Sequence, residues 1–393
     1  MTWRLKSLLE TFYIKYFPEE RLLEMLCGYS LCQRPTKKLI NQYLLNQRIN
    51  WKEFTDLVIN NHLIPIVIDY FNNSRGINLI PSFTRQKLEH YYLTIQYINK
   101  FQNQQFFSIL SALSELKIDF LVMKGYLFDN QLFKKEYYRA RCDLDLLVPM
   151  SQFEKISVYL LQTGFRYYHD HYEKKGKKSF RSGPFYKPNT QEIFKKKGLL
   201  VEIHTSIVDY LPLIQPALDE KTIMNITNYF FSHAQLKTIN GYKIKVFSDR
   251  DLLLSSFLHN LIQHNLQLGI RLHESAQIIR KLINQNDWIH IWKFISWINL
   301  TMDFTWFLHL LFIIYPSLFS FEIKRIVNKH EEKLCFYQLL VFYFMRYKVF
   351  HPTNFPQNTS KEKEKEWCWA IIDKKVLSLF AQKIFFRFKR ILA

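Results

Sequence analysis

Asp143 and Asp145 alternate with Leu144, Leu146 and Val148, and a third acid, Glu202, stands in a later apolar run, Val201-Glu202-Ile203-His204. In an extended strand, residues two apart point the same way, which sets Asp143 and Asp145 on one face about 7 Å apart. Leu144, Leu146 and Val148 then face a core. Two carboxylates on an otherwise apolar strand repel by roughly 2–4 kcal/mol at an intermediate effective dielectric. Something cationic must offset that, and a pair of Mg²⁺ ions carrying nucleotide phosphates would do so.

The elements around these acids are read from their apolar spacing. The run from Ile118 to Met123 predicts a short strand ending in Lys124-Gly125, after which helical spacing resumes from Tyr126 to Phe133. Strand, glycine turn and helix, in that order, aim helix N-terminal amides at an anion. Gly125 lets backbone approach a phosphate, and Lys124 or Arg139 can neutralise one. A second strand, Asp143 to Val148, ends at Pro149. Ser151 is expected to cap a helix running to about Gln162, with Gly164 at its exit. Phe165 to Tyr172 reads as a third strand, and Leu199 to Ile207 as a fourth that carries Glu202. His204 shares the face of Glu202, placing it to touch metal-bound phosphate or acceptor. The alternative is a hydrogen-bonded structural histidine.

Helical texture flanks this core. Apolar residues recur at three and four from Trp51 to Phe71, and Pro65 is expected to kink or divide that helix. Phe83 to Leu116 holds no Pro or Gly and predicts a helix of roughly 50 Å. Ser248-Asp-Arg-Asp251 resembles a capping box opening another helix. His259 and His264 are a poor spacing for one metal and read as packing or acceptor-pocket residues. The expected class is α+β. A helical region at 1–115 and another at 248–393 flank a mixed-sheet core at 116–247.

Composition bounds the rest. The 393 residues suffice for two or three domains, and 48% hydrophobic with 17% aromatic content excludes disorder over most of the chain. Lys and Arg number 54 against 34 Asp and Glu, a net charge of +20 that favours an anionic partner. Biased genomic composition explains the same excess. The loop Lys174–Arg181, with five basic residues in eight, could grip RNA or be simply solvated. The basic, amphipathic end from Ala381 could meet a membrane surface or dock on the protein. Five scattered cysteines show no zinc spacing or disulfide framework, which fits the cytoplasm. The N-terminus lacks the apolar core of a signal peptide. Phe304 to Phe321, interrupted by His309 and Pro316, reads as a buried helix rather than a transmembrane segment.

Taken together, Lys124-Gly125, Arg139, Asp143-Leu-Asp145-Leu-Leu-Val148 and Val201-Glu202-Ile203-His204 resemble a bacterial group of nucleotidyltransferases in the DNA polymerase β-like superfamily. Flanking segments, Trp51 to Pro65 and Leu258 to Leu272, are also similar, so the resemblance covers about residues 45 to 285. It implies a nucleotidyltransferase-like mixed sheet backed by helices, and metal-dependent transfer of an NMP from an NTP. Asp143, Asp145 and Glu202 would be the metal ligands, for Mg²⁺ or Mn²⁺. Lys124, Gly125 and Tyr126, with Arg139, Arg141 and His204, would bind the nucleotide. The superfamily usually has Gly-Ser or Gly-Gly where this chain has Gly125-Tyr126.

The expected function is therefore Mg²⁺-dependent attack of an acceptor hydroxyl on the α-phosphate of an NTP. The acceptor could be a peptide, protein, saccharide or small molecule. The rival is an inactive member of the fold that binds RNA or a protein through its basic surface. For the carboxylates, the rival is a solvated edge strand paired with Arg139 and Arg141.

Overall fold

The structure, a computed structural model, describes residues 11, 13–14, 17–32, 35–73, 79–123, 132, 143–167, 191–207, 220–239, 241–262, 269–315, 317–320 and 323–325. Among the described residues, five helices come first: α1 (Pro18–Cys32), α2 (Lys37–Asn46), α3 (Trp51–Asn60), α4 (Ile64–Asn72) and α5 (Ser82–Glu115). Then follow β1 (Leu121–Val122), β2 (Asp143–Leu147), α6 (Met150–Gln162), β3 (Arg166–Tyr167), β4 (Gln191–Lys196) and β5 (Leu199–His204). After these come α7 (Glu220–Ser232), β6 (Gln235–Ile239), β7 (Tyr242–Val246), α8 (Asp249–Ile262), α9 (Gly269–Leu282), α10 (Gln285–Trp297) and α11 (Thr301–Ile314).

The chain forms two compact units, one of Met1–Tyr92, His264–Arg280 and Leu300–Ala393, the other of Leu93–Gln263 and Lys281–Asn299. In the first, Pro65 divides the 51–71 periodicity as its ring requires. α3 ends at Asn60, His62 turns the chain at φ 56°, and Pro65 sits in the first turn of α4, where no intrahelical N–H is needed. Asn50 caps α3 by accepting from the N–H of Glu53 at 3.3 Å. Leu22, Leu26, Phe54, Val58, Ile66 and Val67 are fully buried. α1 also buries acids: Glu19 accepts from the N–H of Asn50 at 2.7 Å, and Glu24 pairs with Arg21 at 3.0 Å. α11 buries Phe304, Phe307, Leu308 and Leu311, in line with its reading as an internal helix. No described helix is long and apolar enough to cross a membrane.

The second unit holds a seven-stranded mixed sheet in the order β3-β4-β5-β2-β1-β7-β6. β2 runs parallel to β5 and antiparallel to β1, and β1 runs parallel to β7. β2 is thus the middle strand, which removes the edge-strand alternative for its acids. One face of the sheet is core. There Leu144, Leu146, Val148, Val201 and Ile203 pack with Phe106, Leu110 and Leu113 of α5 and with Ile156 and Leu160 of α6. The alternation expected for β2 and β5 is what delivers these side chains to that face.

Three local outcomes differ from the sequence reading, and a fourth is only partly within the described residues. Ser151 does not cap α6: the N-cap is Pro149, without a side-chain bond, and Ser151 lies inside the first turn. The fixed φ of Pro149 (−59°) already shapes the entry, and its carbonyl accepts from Gln152 at 2.8 Å. β5 stops at His204 rather than Ile207. Of the third strand, Arg166–Tyr167 is described and pairs with β4, while 168–172 lie outside the described residues. β4, α7, β6 and β7 are additional elements.

The turn before β5 sets its pairing with β4. Lys196 and Leu199 face each other across Lys197 (φ 44°) and Gly198 (φ 83°), a two-residue hairpin with both central residues left-handed. A Cβ on Gly198 would meet nothing within 4 Å, so any cost of adding one is backbone strain alone. Gly198→Ala is expected to lose about 1–2 kcal/mol in urea unfolding, and Gly198→Asn distinctly less. Equal losses for the two would contradict a backbone origin.

Candidate metal centre

The parallel register of β2 and β5 assembles the site. Asp145 stands opposite Glu202, Leu146 opposite Ile203, and Leu147 opposite His204. Since registered neighbours share a face, Asp145, Glu202 and His204 emerge together on the side of the sheet away from the aliphatic core. Leu121 of β1, opposite Leu147, is on that same face, and both leucines are fully buried. The carboxylates therefore stand beside apolar neighbours, where charge is poorly solvated.

The side chains converge. Nε2 of His204 lies 3.2 Å from Oδ1 of Asp145 and 3.4 Å from Oε2 of Glu202. One ligand atom from each of the three residues falls within 4.8 Å of the others. Asp145 is 2% exposed, His204 1% and Glu202 16%, so the cluster is internal with one more accessible acid. An ionised carboxylate as buried as Asp145 costs several kcal/mol unless donors or a cation answer it. Backbone fixes the ladder around it: the Met123 N–H donates to the carbonyl of Asp145 at 3.0 Å, and the Val148 N–H to that of His204 at 2.8 Å.

The donor set fits a divalent ion. Ligands at about 2.1–2.2 Å from a common ion and at right angles stand about 3 Å from one another. The separations of 3.2 and 3.4 Å come close to that. Two carboxylates and an imidazole are all ligand types for such ions.

Of the acids singled out in the sequence, the structure brings Asp145 and Glu202 together. Asp143, half-buried and opposite Leu200, lies on the same strand but outside the three-residue cluster. His204, read from sequence either as a phosphate or acceptor contact or as a hydrogen-bonded structural histidine, is the third member, with Nε2 within hydrogen-bond distance of Asp145. Its alternation with Glu202 along β5 was the signal for that position. Lys124, Gly125, Tyr126, Arg139, Arg141 and His264 lie outside the described residues, as does the basic loop 174–181. His259 is buried on α8.

The sequence model of a family described as "Uncharacterised nucleotidyltransferase" matches residues 47–320, more than half of the chain. The chain belongs to this family. The match spans β2, β5 and all three residues of the cluster. A search of the curated proteins found no match to it.

Proposed function

We propose that the chain transfers the NMP of an NTP to an acceptor hydroxyl, with Mg²⁺ or Mn²⁺ as cofactor, at the cluster of Asp145, Glu202 and His204. The observation that carries this is the register Asp145 opposite Glu202 on adjacent parallel strands, in a member of a nucleotidyltransferase family. In this proposal residues 116–247 form the nucleotidyltransferase-like core. Asp145 and Glu202 hold the ion, and Asp143, on the same face of β2, is a further ligand. A divalent ion there supplies charge for the phosphates and lowers the pKa of the attacking hydroxyl.

The chain's own groups do the rest. Glu202, the more exposed acid, faces the side from which an acceptor hydroxyl enters and favours its deprotonated form. Lys124, Gly125, Tyr126, Arg139 and Arg141 take the triphosphate, offsetting charge that develops on it. Their segment begins just after Met123, whose N–H bonds to the carbonyl of Asp145, and ends just before Asp143. Both described ends of that segment therefore adjoin the acids. Buried Leu121 and Leu147 limit water beside the ion. We place the reaction in the cytoplasm, where NTPs and free thiols such as Cys27 and Cys32 coexist.

The test is incubation of the full chain with each α-labelled NTP, Mg²⁺ or Mn²⁺, and candidate hydroxyl acceptors. Metal-dependent pyrophosphate release with label transferred to one acceptor class is expected. Neither pyrophosphate release nor metal-dependent NTP binding under any metal and acceptor would favour the alternative, an inactive member of the fold that binds RNA or a protein.

A further inference from the structure

His204 brings nitrogen into a place where carboxylates alone would give an all-oxygen site. Its Nε2 is bracketed by Oδ1 of Asp145 at 3.2 Å and Oε2 of Glu202 at 3.4 Å, on a side chain 1% exposed. One imidazole nitrogen carries at most a single hydrogen, which cannot serve two carboxylates well. Its lone pair and two oxygens, by contrast, can converge on a single cation. We propose that His204 is a direct ligand of the cation through Nε2, and that this nitrogen makes the site favour a first-row transition ion over Mg²⁺. The proposal rests on the nucleotidyltransferase reading only for the presence of a cation.

Two physical differences separate the ions here. Mg²⁺ is hard, demands near-ideal octahedral oxygen geometry and gives up water reluctantly. Imidazole suits transition ions, whose affinity for nitrogen donors exceeds that of the alkaline earths. Burial sharpens the contrast. With Asp145 2% and His204 1% exposed, those two ligands leave little room for water beside the ion. An ion that must keep several waters is therefore handicapped relative to one that accepts three protein ligands.

The test uses the metal-stripped full chain without nucleotide, titrated calorimetrically with Mn²⁺ and, separately, Mg²⁺. Pulsed EPR of the Mn²⁺ complex reads ¹⁴N coupling. Wild type should bind Mn²⁺ at least about tenfold more tightly than Mg²⁺ and show directly coordinated nitrogen. His204→Gln, which places an oxygen donor there, should lose that coupling. Its Mn²⁺ affinity should fall at least about tenfold, a loss that even an outer partner of a ligand can cost, with little change for Mg²⁺. Absence of ¹⁴N coupling in wild type overturns the proposal without reference to any variant. So does an equal fall for both ions in His204→Gln. Nitrogen coupling with no NTP turnover would leave this ligand assignment standing and count against nucleotidyl transfer. Turnover without the coupling would do the reverse.

Discussion

Asp145→Asn is expected to lower metal-dependent pyrophosphate release by on the order of a thousandfold. That is the rate equivalent of roughly 4 kcal/mol of lost charge stabilisation at the transition state. The substitution keeps the shape of the side chain and its hydrogen-bonding reach to His204, now 3.2 Å from Oδ1. What it removes is half of the carboxylate pair with which β2 and β5 face each other. Because that pair is internal and repulsive, stability without metal should stay level or rise by about 1 kcal/mol. Release is followed with saturating Mg²⁺ or Mn²⁺, and stability by urea unfolding of the metal-free chain. A variant that turns over NTP at the wild-type rate would remove Asp145 from the chemistry.

The adjacent residue should show the opposite phenotype. Leu146 is fully buried on the other face of β2, opposite Ile203 on β5 and Val122 on β1, within the core shared with α5 and α6. Leu146→Ala deletes most of a side chain from the middle strand of seven, where the surroundings collapse poorly. The expected loss is about 3–5 kcal/mol, a large part of the roughly 5–15 kcal/mol that holds a typical domain folded. It should appear as a lower urea midpoint with an unchanged slope. At low temperature, turnover per folded molecule should remain close to wild type. A stability loss under about 1 kcal/mol would mean that this face of the sheet is not the core.

The alternation that separates these two phenotypes was visible in the sequence. Period-two spacing placed Leu144, Leu146 and Val148 on one side of β2 and the acids on the other. The same period sets Glu202 and His204 on one side of β5. Pro65 announced the break between α3 and α4, and the absence of Pro and Gly from Phe83 to Leu116 announced α5, observed as Ser82–Glu115. The pairing of Asp145 with Glu202 was not legible, since the hydrophobic pattern fixes which face each residue takes, while no hairpin turn joins these parallel strands to fix the exact register. Nor was the approach of His204 to both carboxylates, which follows from that register.

Other elements were hidden by their composition. β4, Gln-Glu-Ile-Phe-Lys-Lys, offers a weak apolar signal, and its hairpin turn is Lys197-Gly198 rather than Asn-Gly. β7, Tyr-Lys-Ile-Lys-Val, does alternate, with Ile244 and Val246 inward and its lysines less buried, so its pattern could have been found. Ser151 illustrates the converse: a good capping residue was passed over because proline already fixed the helix entry two residues earlier.

The most direct measurement is the anomalous difference density of Mn²⁺ in crystals grown with a non-hydrolysable NTP analogue. A peak within about 2.0–2.4 Å of carboxylate oxygens of both Asp145 and Glu202, with the α-phosphate of the analogue beside it, is the predicted result. Mn²⁺ and nucleotide bound elsewhere, with those two carboxylates carrying no ion, would contradict it.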